Sequence, residues 1–337
     1  MRFTFTADWH LSGYNQDKVD ANTNFPERLS GIRSVIIEMI EYSLKNEIKY
    51  MIVGGDIFHN KSIIYSVAQS VLLDIIRVYK NGDITFIILP GNHDMSNMTG
   101  TGVSATKCLD HEPNVKTIRR TTKIENILLV PWNPIEMIPD IKEGNTDYLI
   151  AHLGLNEGSL NSGISIVSDI GLKDLKQYKR VLLGHYHKPQ EIGNTIYVGS
   201  PLSLDWGEKN EEKRFLIVDT DHHTIESIPT VDYKKYYEFK INSENQKDII
   251  EKVKLLQNEG HHIKLIRTDD SDLTEAENEI QTISIIDKRE KDITNRGITS
   301  GMSGVDKLMR YLEIKEIPEE KKEKYKNVGL DIMNSIG

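Results

Sequence analysis

The sequence predicts an α/β fold in which helices cover a buried β-sheet. Two features predict this class. From the N-terminus to about residue 220, short apolar runs of strand length alternate with longer stretches whose apolar residues have helical spacing. Polar side chains that can bind metals stand where several of the apolar runs end. Alternating strands and helices are typical of a sheet with helices on its faces, and ligands bind such sheets beyond their strand ends.

The strands and helices of this region can be placed in chain order. Strands are predicted for the apolar runs at 2–8, 49–56, 84–91, 126–132, 147–154, 180–187, 195–200 and 214–220. A first helix follows from the helical spacing of Leu29, Ile32, Val35, Ile36, Met39 and Ile40. A second helix is predicted over 63–79, where one apolar stripe contains Ile64, Val67, Val71, Leu72, Ile75, Ile76 and Tyr79.

Changes in composition predict three parts of the chain. Residues 1–230 form the α/β domain, and residues 231–270 have the pattern of a small β-α-β unit. The remainder, 271–337, is charged and is predicted to be helical. Its helices carry two apolar faces, one formed by Leu308, Met309 and Leu312 and the other by Val328, Ile332 and Met333. Packing on their own domain and binding to a partner explain these faces equally well.

Composition narrows the classes of protein to which the chain can belong. Among its 337 residues no apolar run approaches the roughly 20 residues of a membrane span. The N-terminus lacks the apolar stretch of a secretory signal, and the single cysteine, Cys108, fits a reducing cytosol. The net charge of −9 argues against a globally basic surface that binds polyanions. Binding of nucleic acid would therefore need metals or a local basic patch to supply a positive field.

Metal-capable side chains occur at five predicted strand ends. They are Asp8 and His10; Asp56 and His59; Asn92, His93 and Asp94; His152; and His185 and His187. Any one of these motifs also has an ordinary structural explanation, such as a turn or a buried histidine with a satisfied ring. Their occurrence in order at five strand ends of one α/β domain indicates a shared site.

Imidazole and carboxylate ligands without thiolate suit Mn²⁺, Fe or Zn²⁺. The candidate ligands are Asp8, His10, Asp56, Asn92, His152, His185 and His187. A single ion cannot use seven ligands and keep a position open, whereas two ions about 3.5–4 Å apart can if a carboxylate bridges them. Such a pair binds a phosphate, activates water and stabilises a leaving oxygen. Spacing alone neither divides the ligands between two ions nor distinguishes His93 from a ligand.

These motifs resemble the calcineurin-like metallophosphoesterase superfamily, whose pattern is D-x-H, GD-x-x-[DH], GNH[DE], H and GH-x-H. The forms GDIFH and GNHD, with YVGSPLSL at 197–204, are similar to the SbcD-type nucleases of double-strand-break repair, which include phage recombination endonuclease subunits. The resemblance is good over about 1–220 and looser over 231–270. It implies a four-layer α-β-β-α sandwich with a small α+β capping domain and a helical C-terminal tail.

The resemblance also implies a role for each residue of the site. Asp8, His10 and His187 would hold one metal, Asn92, His152 and His185 the other, and Asp56 would bridge them. His93 would contact the phosphate and help to protonate the leaving 3′ oxygen, with Asp94 orienting it, and His59 would lie on the substrate side. The cofactor implied is a pair of divalent ions, Mn²⁺ in the first place, with Mg²⁺, Fe and Zn²⁺ as alternatives.

The function implied is that of an Mn²⁺-dependent 3′–5′ double-strand exonuclease and single-strand endonuclease. Such subunits act on DNA with an SbcC-type coiled-coil ATPase in end processing, recombination and repair, in the cytoplasm of a bacterial cell or phage-infected host. They form homodimers, here through helices at about 62–80 and 97–110, and heterotetramers with the ATPase, here through 304–336. The chain has no P-loop, so ATP dependence would come from that partner. No membrane is implied.

Three other functions share parts of this pattern. Protein phosphatases of similar pattern carry Arg after the second motif, and the residues Asn60 and Lys61 at this point disfavour that branch. A phosphodiesterase that acts on small molecules is compatible with the same motifs. A scaffold that has lost its metals is disfavoured because every expected ligand is present.

Overall fold

The computed structural model describes residues 1–79, 81, 83–97, 99–100, 102–159, 168–269, 284–287, 309–313, 318, 321–322 and 324–328. The chain divides into two compact units, one of Met1–Glu238 with Leu256–Ile263 and one of Phe239–Leu255 with Lys264–Gly337. The predicted domain boundaries after 230 and 270 stay predictions. No helix in the described part of the chain is long and apolar enough to cross a membrane.

The first unit contains a six-stranded sheet in which the first strands of the chain lie side by side. Its strands are β1 (Arg2–Thr6), β2 (Tyr50–Val53), β3 (Thr85–Ile88), β4 (Val115–Thr117), β11 (Arg214–Asp219) and β12 (Thr224–Pro229). Their order is β12-β11-β1-β2-β3-β4. Strands β1 to β4 are parallel, and β11 and β12 pair antiparallel at the other edge. The carboxyl ends of β1, β2 and β3 therefore lie along one edge.

A second six-stranded sheet repeats this arrangement. Its strands are β5 (Thr122–Ile124), β6 (Ile127–Val130), β7 (Tyr148–His152), β8 (Arg180–Gly184), β9 (Gln190–Ile192) and β10 (Thr195–Tyr197). Their order is β5-β6-β7-β8-β10-β9. The four central strands are parallel, and β5 and β9 are antiparallel edges. The ends of β7 and β8 are thus neighbours.

The two sheets pack face to face through alternating side chains. Phe3 and Phe5 of β1 belong to one buried cluster with Leu129, Ile150 and Leu182 of the second sheet. Successive side chains of a strand point to opposite faces, so the residues between them face a helical layer. The central strands of both sheets are therefore buried on both faces, which explains why β2, β3, β6, β7 and β8 are apolar at most positions.

Helices cover the outer faces of both sheets. On the first sheet lie α1 (Glu27–Lys45) and α2 (Ser66–Val78), whose buried residues recur every three or four positions. On the second sheet lies α3 (Met137–Glu143), which packs through Met137 and Ile141. The order of layers is helix, sheet, sheet, helix, and the predicted four-layer α/β sandwich is confirmed.

Some elements differ from the sequence prediction. The short strands β4, β5, β9 and β12 and the helix α3 were not predicted, because they are edge or surface elements with mixed polarity. The helix expected at about 97–110 is wrong: the described residues form a loop closed by the pair Met95 and Ser104, then a 3-10 turn at Ala105–Leu109. Gly100 and Gly102 in this loop disfavour a helix.

The predicted β-α-β pattern is present as β13 (Tyr236–Ile241), α4 (Gln246–Asn258) and β14 (His262–Arg267). A third strand, β15 (Ser284–Asp287), pairs parallel with β14, so the prediction that the chain is helical from about 273 is wrong at this point. Its β-branched isoleucines favour a strand. Residues 309–313, 321–322 and 324–328 are helical, Pro318 is also described, and Leu308, Ile332 and Met333 of the predicted tail lie outside the described residues.

Candidate metal centre

The five motifs meet because the loops after the parallel strands continue the pairing of those strands. The backbone N–H of Asp8 donates to the carbonyl of Gly55 (2.9 Å), and that of His10 donates to Asp56 (3.0 Å). From the second sheet, the backbone N–H of His185 donates to both Asp8 carboxylate oxygens, at 3.1 and 3.0 Å. Loops from both sheets are thereby tied together at one edge of the sandwich.

Four of the candidate ligands have a left-handed backbone. The φ angles are 57° at Asp8, 51° at His10, 54° at Asp56 and 98° at His185. This region is disfavoured for residues with a side chain, and each such residue costs about 1–3 kcal/mol unless its surroundings impose it. Such strain clusters at functional sites. Here it turns the four side chains into the space beyond the strand ends.

Two glycines allow the close approach of the loops. A Cβ on Gly55, where φ is +102°, would lie 2.4 Å from His152 Nδ1. A Cβ on Gly91 would lie 2.2 Å from the Asp56 Oδ1 atom. Both distances are far below a normal contact, so any side chain at these positions would displace a candidate ligand.

The candidate ligand atoms include two neighbouring groups, and nitrogens of His10, His59 and His93 form a further one at the open side. In the first, the Nε2 atoms of His10 and His187 lie 2.9 Å apart, and a carboxylate oxygen of Asp8 lies within 4.8 Å of both rings. In the second, Asn92 Oδ1 lies 3.0 Å from His152 Nε2 and 3.1 Å from His185 Nδ1. The two groups correspond to the two sets of ligands that the family resemblance implies.

Asp56 lies between the two groups. Its Oδ2 atom is 3.7 Å from His10 Nε2 and 3.3 Å from His152 Nε2. Its Oδ1 atom accepts a hydrogen bond from the backbone N–H of His93 (2.8 Å), which fixes the orientation of the carboxylate. The side chain is 2% exposed. This is the position that a bridging carboxylate requires.

Burial and neighbouring charges set the protonation of the cluster. Burial lowers the pKa of His10 well below its ordinary value and that of His185 to about 3, so both rings are neutral. Burial also opposes the charging of His152, but the Asp56 carboxylate outweighs it and raises the pKa of His152 to about 9. Burial likewise opposes ionisation of Asp56, yet the charge of His152 holds the pKa of Asp56 well below its usual range.

The contacts of His152 test whether the cluster fits a cation. Its Nδ1 donates to the carbonyl of Gly54 (2.8 Å), so its Nε2 is the nitrogen that faces Asn92 and Asp56. The facing atoms of those residues are acceptors, and a positive charge, either a proton on Nε2 or a metal ion, has to stand among them. Metal binding displaces protons from such ligands. The residues therefore fit a divalent ion.

His93 and His59 lie at the open side of the cluster. His93 Nδ1 donates to the backbone carbonyl of His59 (2.5 Å), so Nε2 is the ring nitrogen that this bond leaves available. The two rings stack with their centroids 5.8 Å apart. His59 is exposed and approaches His10, with Nδ1 atoms 3.3 Å apart. Both predicted substrate-side histidines thus lie beside the candidate ligands.

The predicted role of Asp94 as the orienter of His93 is wrong in this geometry. Asp94 is fully buried, and its carboxylate accepts from the backbone N–H groups of Ile57 (3.2 Å), Phe58 (3.0 Å) and Gly91 (2.9 Å). It therefore joins the loop after β2 to the loop after β3. The backbone carbonyl of His59 holds the His93 ring instead.

We expect Asp94→Ala to destabilise the fold, since three buried N–H groups would lose their acceptor. At about 1–3 kcal/mol for each buried donor left unsatisfied, and with partial relaxation, the loss should be about 3–5 kcal/mol. Thermal unfolding measures it. Asp110→Ala is the matched control, because Asp110 is exposed and pairs with Arg119, and surface pairs contribute about 0–1 kcal/mol. Equal stability of both variants would contradict this role.

Three residues of the site were missed by sequence reasoning. Glu208 accepts from Nδ1–H of His187 (2.7 Å), and Lys213 donates to the His187 carbonyl (2.9 Å). Tyr14 donates to the His10 carbonyl (2.5 Å). None stands at a strand end, so their residue types carried no signal. The only hint was the proximity of Glu208 to the YVGSPLSL segment.

Two facing sheets gather carboxylate, amide and imidazole groups beyond their parallel strand ends, and these groups suit a divalent metal ion. The model of the calcineurin-like phosphoesterase family matches residues 1–213. The chain belongs to this family. It is a phosphoesterase of a family that uses divalent metal ions, and the clusters of ligand atoms lie within the matched region.

Two of the relatives of this chain are nuclease subunits by name. Exonuclease subunit 1 of Enterobacteria phage T4 is 31% identical over 242 residues, which are 68% of each chain. The SbcD subunit of the nuclease SbcCD from Staphylococcus epidermidis is 21% identical over 320 residues, 82% of this chain and 81% of the relative. Among solved structures, a dimetal phosphatase from Danio rerio covers 68% of this chain and 99% of its own, with 9% identity and a TM-score of 0.44. That likeness is too distant to support an argument.

Proposed function

We propose that this phosphoesterase is the nuclease subunit of a DNA end-processing complex and that it hydrolyses phosphodiester bonds with two divalent ions, Mn²⁺ in the first place. The activities proposed are 3′–5′ exonuclease on duplex DNA and endonuclease on single strands, in recombination and repair. The observation that carries the two-ion part is the position of Asp56 Oδ2 between His10 and His152. The two nuclease relatives support the choice of DNA as substrate.

The proposed ligand sets follow the distances in the cluster. Asp8, His10 and His187 hold one ion, Asn92, His152 and His185 hold the other, and Asp56 bridges them. When bound, the pair of ions polarises the phosphate and supplies a nucleophile near neutral pH. The chain contributes the neutral imidazoles of His10 and His185, buried carboxylates and hydrogen-bonded loops around them, and His152 would give up its proton when a metal ion binds.

His93 and His59 act on the substrate in this proposal. Because Nδ1 of His93 is held by the His59 carbonyl, Nε2 is the atom that can hold a proton for the leaving 3′ oxygen. The exposed ring of His59 stacks on His93 and keeps it beside His10. Both residues therefore contact the substrate side without being needed as ligands.

The proposed partners follow from the relatives, which are named as subunits. We propose a homodimer that associates with an SbcC-type coiled-coil ATPase as a heterotetramer, in the cytoplasm of a bacterial cell or phage-infected host. Residues 304–336 are the segment proposed to bind the ATPase. Helix α2 exposes Val78 at its last position, and Ile64, which precedes the helix, is exposed as well, while Val71 and Ile75 are buried against the sheet. Coverage of the sheet therefore accounts for the middle of that stripe.

The test of substrate class is cleavage of linear duplex DNA and of bis(p-nitrophenyl) phosphate, each with and without Mn²⁺. We expect Mn²⁺-dependent hydrolysis of both and loss of both on chelation. Activity on the small diester with none on DNA, alone or with the ATPase, would favour a phosphodiesterase of small molecules. Metal-independent hydrolysis, or no bound metal, would contradict the proposal as a whole.

A further inference from the structure

A buried ion pair stands behind His187. Glu208, 3% exposed, accepts from Nδ1–H of His187 at 2.7 Å. Its other oxygen accepts from the Ser200 hydroxyl (2.9 Å), from the Leu204 backbone N–H (3.2 Å) and from the ammonium of Lys213 (2.8 Å). The carboxylate is thus held on all sides, and its one contact toward the metal cluster is with His187.

Lys213 holds the same histidine from the backbone. Its side chain is fully buried, and its ammonium donates to the His187 carbonyl (2.9 Å) and to Glu211 (2.8 Å) as well as to Glu208. Ring and main chain of His187 are therefore fixed by the two members of one ion pair. A buried ion pair is weak evidence for stability, because desolvation can exceed the Coulombic gain. Its consequence here is the placement of one side chain.

We propose that Glu208, supported by Lys213, is a positioning residue that sets His187 for metal binding. This inference rests on the proposed function, in which His187 is a ligand. Glu208 keeps the proton of the ring on Nδ1, so that Nε2 presents its lone pair beside His10 Nε2, 2.9 Å away. A carboxylate behind a metal-ligating histidine fixes its tautomer and raises its basicity.

The two proposed metal positions then differ in their supporting groups. His187 has a carboxylate behind its ring, whereas His152 of the other position has the neutral carbonyl of Gly54 at 2.8 Å. Loss of the Glu208 carboxylate should therefore weaken metal binding at the position of His187 and leave metal binding at the position of His152 unchanged. This selectivity separates positioning from a general contribution to folding, which would affect both positions alike.

The test is calorimetric titration of the full chain with Mn²⁺ alone, which needs no substrate. We expect Glu208→Gln to weaken one of two sites by about 10–100-fold and to leave the other within about twofold. His187→Ala should lose the same site. The matched control is Lys209→Met, at the residue next to Glu208. This variant removes the ion pair between Lys209 and Glu238 and should bind both metal ions as the wild type does.

If Glu208→Gln does not fold, a second variant tests the same inference. Glu208→Asp keeps the charge opposite Lys213 on a shorter stem, and we expect it to weaken the same site by a smaller factor. Unchanged affinities in a folded Glu208 variant, or equal weakening of both sites, would overturn the inference even if its melting temperature falls. If the Glu208 variants lose one metal site selectively but the wild-type protein does not cleave DNA, the proposed function is contradicted. The positioning role of Glu208 would still stand.

Discussion

Replacing Asp56 by asparagine is expected to remove both metal ions and to reduce hydrolysis by about 10³-fold or more. Oδ2 of this carboxylate faces His10 on one side and His152 on the other, so a neutral amide weakens both positions together. Transition-state stabilisation by metal ions amounts to several kcal/mol, and about 4 kcal/mol corresponds to roughly 10³-fold in rate. No single ligand of either proposed set should have this double effect.

The substitution is close to isosteric, and the amide oxygen that replaces a carboxylate oxygen can still accept from the His93 backbone N–H. Folding should therefore survive, which circular dichroism can verify. Metal content after dialysis against Mn²⁺ measures the effect, with two ions expected for the wild type and none for the variant. Asp110→Asn removes a carboxylate that pairs with Arg119 away from the cluster and serves as the control. Two ions retained by Asp56→Asn would contradict the bridging role.

The second large effect is expected for His93→Ala, which should lose cleavage of DNA while keeping both ions. The ring is anchored by a hydrogen bond from Nδ1 to the His59 carbonyl (2.5 Å), which leaves Nε2 as the nitrogen that can act on the substrate in the proposed function. Proton transfer by a positioned side chain contributes about 10²–10⁴-fold, and this is the loss we expect in the rate. Single-turnover cleavage at saturating Mn²⁺, together with metal content, measures it.

His111→Ala is the control for His93→Ala, because His111 is exposed and stands outside the five motifs. Its rate and metal content should equal those of the wild type. Loss of metal from His93→Ala would show that His93 is a ligand, a role that spacing alone left open. An unchanged rate with both ions bound would remove it from catalysis.

The elements of the fold that could be predicted are those whose burial is apparent from the apolar residues of the local sequence. Strands β2, β3, β7 and β8 are covered on both faces, so most of their residues are apolar and the strands can be recognised from the sequence. Edge strands such as β4 and β9 have three residues and mixed burial, and nothing local separates them from loops. Strand β15 forms by pairing with β14. This pairing could not be predicted because many of the residues that flank β15 in the sequence are charged.

The candidate site divides in the same way. Ligand candidates such as Asp8 and His152 could be predicted because each follows a recognisable strand, and parallel strands bring their ends to one edge. The role of Asp94 was misassigned, since only the folded chain shows that its partners are three backbone N–H groups. Glu208 is 21 residues from His187 and reaches it through chain reversal, which spacing cannot reveal.

The most direct measurement of the central claim is anomalous diffraction at the manganese edge from crystals grown with Mn²⁺ and a deoxynucleoside monophosphate. Two anomalous peaks are expected about 3.5–4 Å apart, the separation of two-metal sites. The Asp56 carboxylate should lie between them, with the phosphate on the side of His93. A single peak, or two peaks without Asp56 between them, would contradict the two-ion account.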